Sequence, residues 1–153
     1  MLHNILITGA SGYLGGTILA RWDKANLPLY QTLYALVRTD EQGEAVKRCG
    51  AKPIFFDIKD EVSVRTAIVE NEITVVYFLV DAMSSISQLP MIKALAEVKD
   101  KTGKDVHFLH TSGAKIFSSH AGLPTDRPIL DNDPGLYGLQ KRAIAKFDLV
   151  QTL

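Results

Sequence analysis

The stretch ILITGASGYLGG (residues 5–16) joins an apolar run to a helical pattern and decides the fold. A tight turn favours a residue without a Cβ at Gly9, a phosphate needs close backbone approach at Gly12, and helix-to-strand packing excludes a side chain at Gly15. The spacing predicts a strand, a phosphate-binding turn and a helix whose N-terminal N–H groups face an anion. The alternative is a glycine turn that serves only β-to-α packing.

Strand-like and helix-like segments alternate along the chain, which is the pattern of βαβ units and a parallel sheet. Continuous apolar runs are expected where helices cover both faces of a sheet. Five such runs are predicted as strands: Ile5–Thr8, Leu33–Val37, Pro53–Phe56, Thr74–Val80 and Val106–Thr111. Together they predict one α/β domain over residues 1–153, a Rossmann-type doubly wound parallel sheet in the order 3-2-1-4-5.

Apolar residues at helical spacing predict core-facing helices between these strands. One stripe comprises Leu14, Ile18, Leu19, Trp22 and Ala25, and another comprises Ile92, Ala94, Leu95 and Val98. A shorter helix is predicted over Glu61–Glu70, and a last one over Tyr137–Leu153 with Leu139, Ala143, Phe147 and Val150 on one face. The segment Gly113–Gly135 is predicted as a loop of about twenty residues, a length typical of functional loops.

Composition excludes several classes of function. Seventeen basic residues balance seventeen acidic ones, so the overall charge indicates neither a nucleic-acid partner nor an anionic membrane. No apolar run has the length of a membrane span. The single cysteine, Cys49, excludes an internal disulfide framework, and the N-terminus lacks a secretory signal pattern. The cytoplasm is the expected location.

The segment ITGASGYLGG resembles the Gly-x-x-Gly-x-x-Gly fingerprint of extended and atypical short-chain dehydrogenase/reductases, which include NAD-dependent epimerase/dehydratases and NmrA-like proteins. The resemblance covers essentially the whole chain. It implies that Ser11 and the backbone of Tyr13 and Leu14 lie along the pyrophosphate of NADP or NAD, beside the three glycines.

Arg38 follows the second predicted strand, where an arginine accepts a 2′-phosphate and an acidic residue would hold a ribose hydroxyl. Charge-assisted hydrogen bonds from a guanidinium to a phosphate therefore favour NADP, with NAD as the alternative. Asp40 and Glu41 favour NAD, and an exposed arginine is also compatible with a merely solvated charge.

Further cofactor contacts are predicted at the ends of the third and fourth strands. Asp57 and Ile58 resemble the segment that flanks the adenine, although Asp57 also fits a turn residue. Residues at the carboxyl end of the fourth strand are expected to line the cofactor channel. They are Leu79, Val80, Asp81 and Ala82.

Tyr137 and Lys141 are four residues apart, which places a phenol and an ammonium on one helical face. A nearby cation favours the phenolate, so the tyrosine can exchange a proton with a carbonyl. The resemblance implies a hydroxyl partner after the fifth strand, at Thr111 or Ser112. Matching Ile116-Phe117 to the family's apolar-aromatic pair places the usual hydroxyl position on Gly113. The alternative is a routine aromatic and a solvated lysine.

The four histidines, His3, His107, His110 and His120, show no metal-ligand spacing, so no metal is expected. The resemblance implies a sixth strand and a C-terminal substrate domain that the 153 residues lack. The fifth strand is then an exposed edge. Either the chain is a fragment or a truncated product, or a second copy of the chain covers this edge, and we expect such association.

Three functions are compatible with these patterns. The first is an NAD(P)-dependent oxidoreductase or epimerase/dehydratase-like enzyme that acts on a carbonyl or hydroxyl group of a small molecule, with Tyr137 as acid/base. The second is a non-catalytic dinucleotide sensor similar to NmrA-like proteins. The third is a non-redox isomerase or cyclase that uses Tyr137 or Asp81 to move a proton.

Overall fold

The chain divides into two compact units. In this computed structural model the first unit comprises Met1–Asp81 and Ile86–Thr111, and the second comprises Ala82–Ser85 and Ser112–Leu153. The structure describes residues 2–82, 84–113, 118–119, 123, 126, 128–130 and 132–144, without the side chains of 140, 143 and 144. The expectation of one domain over residues 1–153 stays a prediction.

The first unit is built on a parallel sheet. Its strands are β1 (Asn4–Ile7), β2 (Thr32–Leu36), β3 (Lys52–Ile54), β4 (Ile73–Phe78) and β5 (His107–His110). They lie in the order β3-β2-β1-β4-β5, which confirms the predicted fold class and topology. The register pairs Ile5 of β1 with Leu33 of β2 and with Val75 of β4, so β1 lies at the centre of the sheet.

Each strand ends one or two residues before its predicted end. After β1 and after β5, the next residue still makes one backbone hydrogen bond to β4, which explains why the predicted strands are longer. The N–H of Thr8 donates to the carbonyl of Tyr77 at 3.0 Å, and the N–H of Thr111 donates to that of Phe78 at 3.2 Å. These residues are therefore the first of the loops at the carboxyl edge of the sheet.

Along the chain, four of the described helices alternate with the strands, and a fifth follows the last strand. They are α1 (Tyr13–Arg21), extended by a 3-10 turn over Trp22–Lys24, α2 (Asp40–Lys47), α3 (Glu61–Glu70), α4 (Gln88–Thr102) and, in the second unit, α5 (Leu136–Ile144). The bounds of α3 are those predicted. The predicted Tyr137–Leu153 helix is confirmed as far as Ile144, and Phe147 and Val150 lie outside the described residues.

The predicted core stripe of α1 is wrong at its two ends. Leu19 and Trp22 are buried, whereas Leu14 is 43% exposed and Ala25 is exposed. The change to a 3-10 turn at Trp22 rotates Ala25 away from the sheet, because a 3-10 turn advances fewer residues per turn than an α-helix.

Helix α2 is an element that the sequence analysis missed. Thr39 caps it, because its Oγ1 accepts a hydrogen bond from the N–H of Gln42 at 3.2 Å. Asp40 and Glu41 lie in its first turn, where their charge is favourable beside the helix dipole. The Thr-x-x-Gln spacing was the available signal. The segment has few apolar residues, so its side-chain periodicity did not indicate a helix.

Two hydrophobic clusters pack on opposite faces of the sheet. Leu6, Val76 and Phe78 face α3 and α4, whose Val64, Ile68, Met91 and Leu95 complete one cluster. Ile5, Ile7 and Leu33 face the other way, toward Leu19 of α1, Val46 of α2 and Trp22. Because successive side chains of β1 enter different clusters, every position of this strand is apolar or buried, as a doubly wound sheet requires.

Strand β5 stands at one end of the sheet order, next to β4. Its Leu109 is 46% exposed. The expected pairing of this edge with a second copy stays a prediction. Within the part of the chain that the structure describes, we find no helix whose length and apolar character would let it cross a bilayer.

Helices α3 and α4 are joined by an ion-pair network at their exposed edge. Both carboxylate oxygens of Glu97 accept from the guanidinium of Arg65 at 2.6 Å, and Lys101 lies 2.7 Å from the same carboxylate. Hydrogen bonds from Lys101 and Arg65 hold the pKa of Glu97 below its usual value of 4.5.

The network predicts a pH-dependent contribution to stability. Because the folded state lowers the pKa of Glu97, its carboxylate stabilises the fold above the unfolded value of 4.5, and this contribution is lost as the pH falls through the lower folded value. Glu97→Gln is therefore expected to lower the urea midpoint near neutral pH, with a smaller difference from the wild type at a pH well below 4.5.

Glu70→Gln, an exposed change on α3, is the control and should shift the midpoint less at neutral pH. A Glu97→Gln deficit that is equally large at both pH values would contradict the role assigned to the carboxylate.

Candidate functional site

The glycine turn lies at the carboxyl end of the central strand, between β1 and α1. Gly9 has φ +64°, a conformation that side chains with a Cβ rarely adopt. A Cβ on Gly9 would also lie 3.1 Å from the carbonyl oxygen of Leu79, at the end of the neighbouring β4. The turn thus needs glycine at this position for two independent reasons.

Gly15 brings the helix against the strand. A Cβ on Gly15 would overlap the carbonyl oxygen of Gly9 and lie 2.9 Å from the Cα of Ala10. Both neighbours are backbone atoms, which cannot move as a side chain can. The first turn of α1 therefore packs directly on the backbone that precedes it.

Gly12 starts helix α1 and leaves its end open. Its N–H donates to the carbonyl of Gly9 at 2.9 Å, and it provides no side-chain cap. The next three backbone N–H groups, those of Tyr13, Leu14 and Gly15, have no acceptor within the helix, whose first internal bond runs from Gly16 to Gly12 at 2.8 Å. The first turn contains no acidic residue. Residues 11–14 are exposed. Unpaired N–H groups, the helix dipole and open space together suit a phosphate.

Thr8 ties the carboxyl ends of β1 and β4 together, a role that the sequence analysis missed. Its buried Oγ1 donates to the carbonyl of Tyr77 at 3.2 Å and accepts from the N–H of Leu79 at 3.0 Å. This fixes Leu79 beside Gly9. The sequence signal was a polar residue at the end of an apolar run, directly before the turn.

Arg38 follows β2 at the same edge of the sheet. Its side chain is exposed and makes no hydrogen bond or ion pair with any residue that the structure describes. Asp40 and Glu41, which the sequence analysis weighed in favour of NAD, have a structural role in the first turn of α2. The guanidinium is thus free to bind an anion.

Asp57 and Ile58 follow β3. The carboxylate of Asp57 accepts from the N–H of Lys59 at 2.9 Å, and its carbonyl accepts from the N–H of Asp60 at 3.1 Å. Asp57 therefore has the turn role considered as one alternative, and its exposed position leaves the other open. Ile58 packs against the cluster under α3 and α4.

Leu79 and Val80 follow β4. Leu79 is half-buried against the cluster under α1, and Val80 is 44% exposed. Asp81, the last residue of this part of the first unit, is half-buried. The predicted lining of a cofactor channel by these residues stays a prediction.

The second unit contains the proposed catalytic pair. Tyr137 and Lys141 lie one turn apart on α5, with the Lys141 ammonium 6.0 Å from the centre of the Tyr137 ring. Tyr137 is 63% exposed. Their spacing therefore brings them together, as predicted, while their catalytic role stays a prediction.

The hydroxyl candidates lie just after β5. Thr111 is half-buried and Ser112 is exposed. Among the described residues, a Cβ on Gly113 would meet only the Cβ of Ala82, at 4.0 Å, so these residues leave room for a side chain at this position. Residues 116 and 117, used to place the hydroxyl position, lie outside the described residues.

The titratable side chains that the structure describes do not converge on a metal site. Among the residues it describes, no group of three or more His, Cys, Asp or Glu side chains could hold a metal ion. His3 instead contacts Thr74, with its Nδ1 3.0 Å from the hydroxyl, and its ring packs edge-on against His107. His120 lies outside the described residues.

A parallel sheet in the order 3-2-1-4-5 with a glycine turn at its first β–α junction defines a Rossmann-type protein. The chain belongs to the NAD dependent epimerase/dehydratase family, whose sequence pattern matches residues 5–147. No curated protein sequence matches the chain significantly.

Several solved structures share the fold. Isoflavone reductase is 20% identical with a TM-score of 0.55, over 95% of this chain and 46% of its own. Triphenylmethane reductase from Citrobacter sp., complexed with NADP(H), is 21% identical with a TM-score of 0.53, over 74% and 38%. Carbonyl reductase Sniffer of D. melanogaster is 14% identical with a TM-score of 0.53, over 66% and 53%. This chain thus spans about half the length of these proteins or less.

The contact between α1 and the turn makes Gly15→Ala a sensitive test of the geometry. Because the added Cβ meets backbone atoms, we expect a loss of about 1–3 kcal/mol or more in the free energy of unfolding. Gly16→Ala is the matched control on the same helix, where the nearest atom lies at 3.6 Å. It should stabilise by roughly 0.5–1 kcal/mol. Urea unfolding measures both, and equal effects would contradict the proposed close approach.

Proposed function

We propose that the chain binds a dinucleotide through its glycine turn and prefers NADP to NAD. The observation that carries the proposal is the open first turn of α1, whose start at Gly12 has neither a cap nor an acidic neighbour. A pyrophosphate would complete the hydrogen bonding of these N–H groups. Family membership and the structural similarity to a reductase complexed with NADP(H) support the same assignment.

The preference for NADP depends on Arg38. Its exposed guanidinium has no partner among the described residues, so a 2′-phosphate would not have to displace an existing ion pair. Each charge-assisted hydrogen bond to a phosphate contributes about 1.5–3 kcal/mol, which is roughly a ten-fold or greater effect on affinity. NADH lacks this phosphate and would not gain it.

Titration with NADPH and NADH tests the cofactor assignment. Trp22, the single tryptophan, is buried beneath α1, and its emission can transfer energy to a reduced nicotinamide. Arg38→Leu is expected to weaken NADPH about ten-fold or more and NADH less than about two-fold. Gly12→Ala adds a methyl group where the phosphate approaches and should weaken both cofactors.

Gly16→Ala is the control for these titrations and should bind as the wild type does. Failure of the wild-type chain to bind either cofactor would refute the cofactor assignment. Equal losses of NADPH and NADH binding in Arg38→Leu would refute the assignment of the 2′-phosphate to this residue.

We further propose that the protein reduces a carbonyl, or oxidises a hydroxyl, on a small molecule. When bound, a reduced nicotinamide would supply the hydride that adds to the carbonyl carbon. The hydroxyl of Tyr137 then gives its proton to the carbonyl oxygen, and Lys141 stabilises the resulting phenolate. Thr111 or Ser112 donates a hydrogen bond to the same oxygen. The pairing of Tyr137 with Lys141 on α5 supports this assignment.

A dinucleotide sensor without turnover is the second candidate. Gly113 favours it, because the resemblance implies the family's hydroxyl at this position, where the chain has no side chain and the described residues leave space for one. In this case cofactor binding alone is the function. Both candidates use the same glycine turn, so binding does not separate them.

Tyr137→Phe separates the enzyme from the sensor. For the enzyme, NADPH consumption with a panel of aldehydes and ketones should fall about 10²- to 10⁴-fold, because the variant lacks the transferable proton. NADPH affinity should stay within about three-fold, since the change leaves the glycine turn intact. Wild-type binding without turnover on any carbonyl, together with unchanged binding in the variant, would instead support the sensor.

A further inference from the structure

The segment between β2 and α2 makes a hydrogen bond that has no part in the cofactor assignment. Beyond β2, the N–H of Val37 still donates to the carbonyl of Ile54 on β3, at 3.1 Å. The next N–H, that of Arg38, instead donates to the side-chain oxygen of Gln42 at 2.9 Å. The chain thus leaves the sheet at Arg38, and a side chain of α2 replaces the missing strand partner.

Gln42 both accepts a hydrogen bond from the segment before it and donates one to that segment. The side chain of Gln42 accepts from Arg38, while the backbone N–H of Gln42 donates to the hydroxyl of Thr39 at 3.2 Å. The N–H of Gly43 donates to the carbonyl of Thr39 at 3.0 Å. Three hydrogen bonds therefore fix the backbone that carries the Arg38 side chain.

Helix α2 is itself fixed against the sheet at the same level. A Cβ on Gly43 would lie 3.4 Å from the ring of Phe55 and 3.5 Å from the Cβ of Pro53, so the helix is in contact with β3 there. The position of the Gln42 side chain is consequently set by the packing of α2. Through Gln42, this packing determines where the Arg38 backbone lies.

We propose that Gln42 is a positioning residue for cofactor selectivity, which holds the Arg38 backbone so that its guanidinium meets the 2′-phosphate of NADP. The proposal rests on the proposed function, because it concerns the same cofactor site. Because the backbone of Arg38 is already fixed, only its side-chain rotamers have to be ordered when the guanidinium binds a phosphate. The conformational entropy lost on binding is therefore smaller than for a mobile segment. NADH, which lacks the phosphate, would be insensitive to Gln42.

The test is a double-mutant cycle with Gln42→Met and Arg38→Leu, read by titration with NADPH and NADH. Methionine keeps the length of the side chain and removes the acceptor. We expect Gln42→Met to weaken NADPH about three- to ten-fold, with NADH changed less than about two-fold. In the Arg38→Leu background the same change should have no effect on NADPH, because Gln42 acts through Arg38.

Lys47→Met is the control for a general loosening of α2, since it removes the ion pair with Glu44 at the other end of the helix. It should leave both affinities unchanged. Equal effects of Gln42→Met in the two backgrounds, equal losses for NADPH and NADH, or no effect in a wild type that prefers NADPH would each overturn the positioning role alone. A wild type that binds neither cofactor, or that prefers NADH, would overturn the proposed function and this role with it.

Discussion

The structure depends on one close contact between backbone segments, where the first turn of α1 meets the turn that leaves β1. At Gly15 the helix approaches the backbone of Gly9 and Ala10 so closely that no Cβ fits between them. The contact brings the open N-terminus of the helix to the carboxyl end of the central strand. Side-chain packing alone holds a helix farther from a sheet, at a distance set by the Cβ atoms. Glycine at this position is therefore the condition for placing backbone N–H groups at the carboxyl edge of the sheet.

The carboxyl edge of the sheet also depends on how the ends of the neighbouring strands are joined. Strands β1 and β4 are adjacent in the sheet, and the helices that follow them lie on opposite faces, so the loops diverge between them. Thr8 bridges this point with hydrogen bonds to Tyr77 and Leu79. The carbonyl of Tyr77 also accepts from the N–H of Thr8, whereas the hydroxyl is the acceptor for the partly buried N–H of Leu79. Leaving such a group without a partner costs about 1–3 kcal/mol. The same residue thus supports both the stability of the sheet and the shape of the proposed cofactor site.

The loop after β2 shows how a single residue type can be misread without its context. Asp40 and Glu41 were interpreted as acidic residues opposing a 2′-phosphate, because the helix that contains them was not predicted. In the structure they belong to the first turn of α2, and Thr39 and Gln42 cap its start. The cap was visible in the Thr-x-x-Gln spacing. The weak apolar pattern of the segment hid the helix, because α2 buries only Gly43 and Val46.

The sequence by itself determined the alternation of strands and helices, the order of the sheet and the glycine turn. These features depend on residues that are neighbours along the chain, through side-chain periodicity and through the steric freedom of glycine. The placement of Tyr137 and Lys141 on one face of a helix was predictable for the same reason. Only the tertiary structure decided that Thr8 joins β1 to β4 and that the guanidinium of Arg38 has no partner among the described residues. Those outcomes depend on groups brought together by strand pairing and helix packing. Thr8 and Leu79 are 71 positions apart, and no local pattern encodes a contact over that separation.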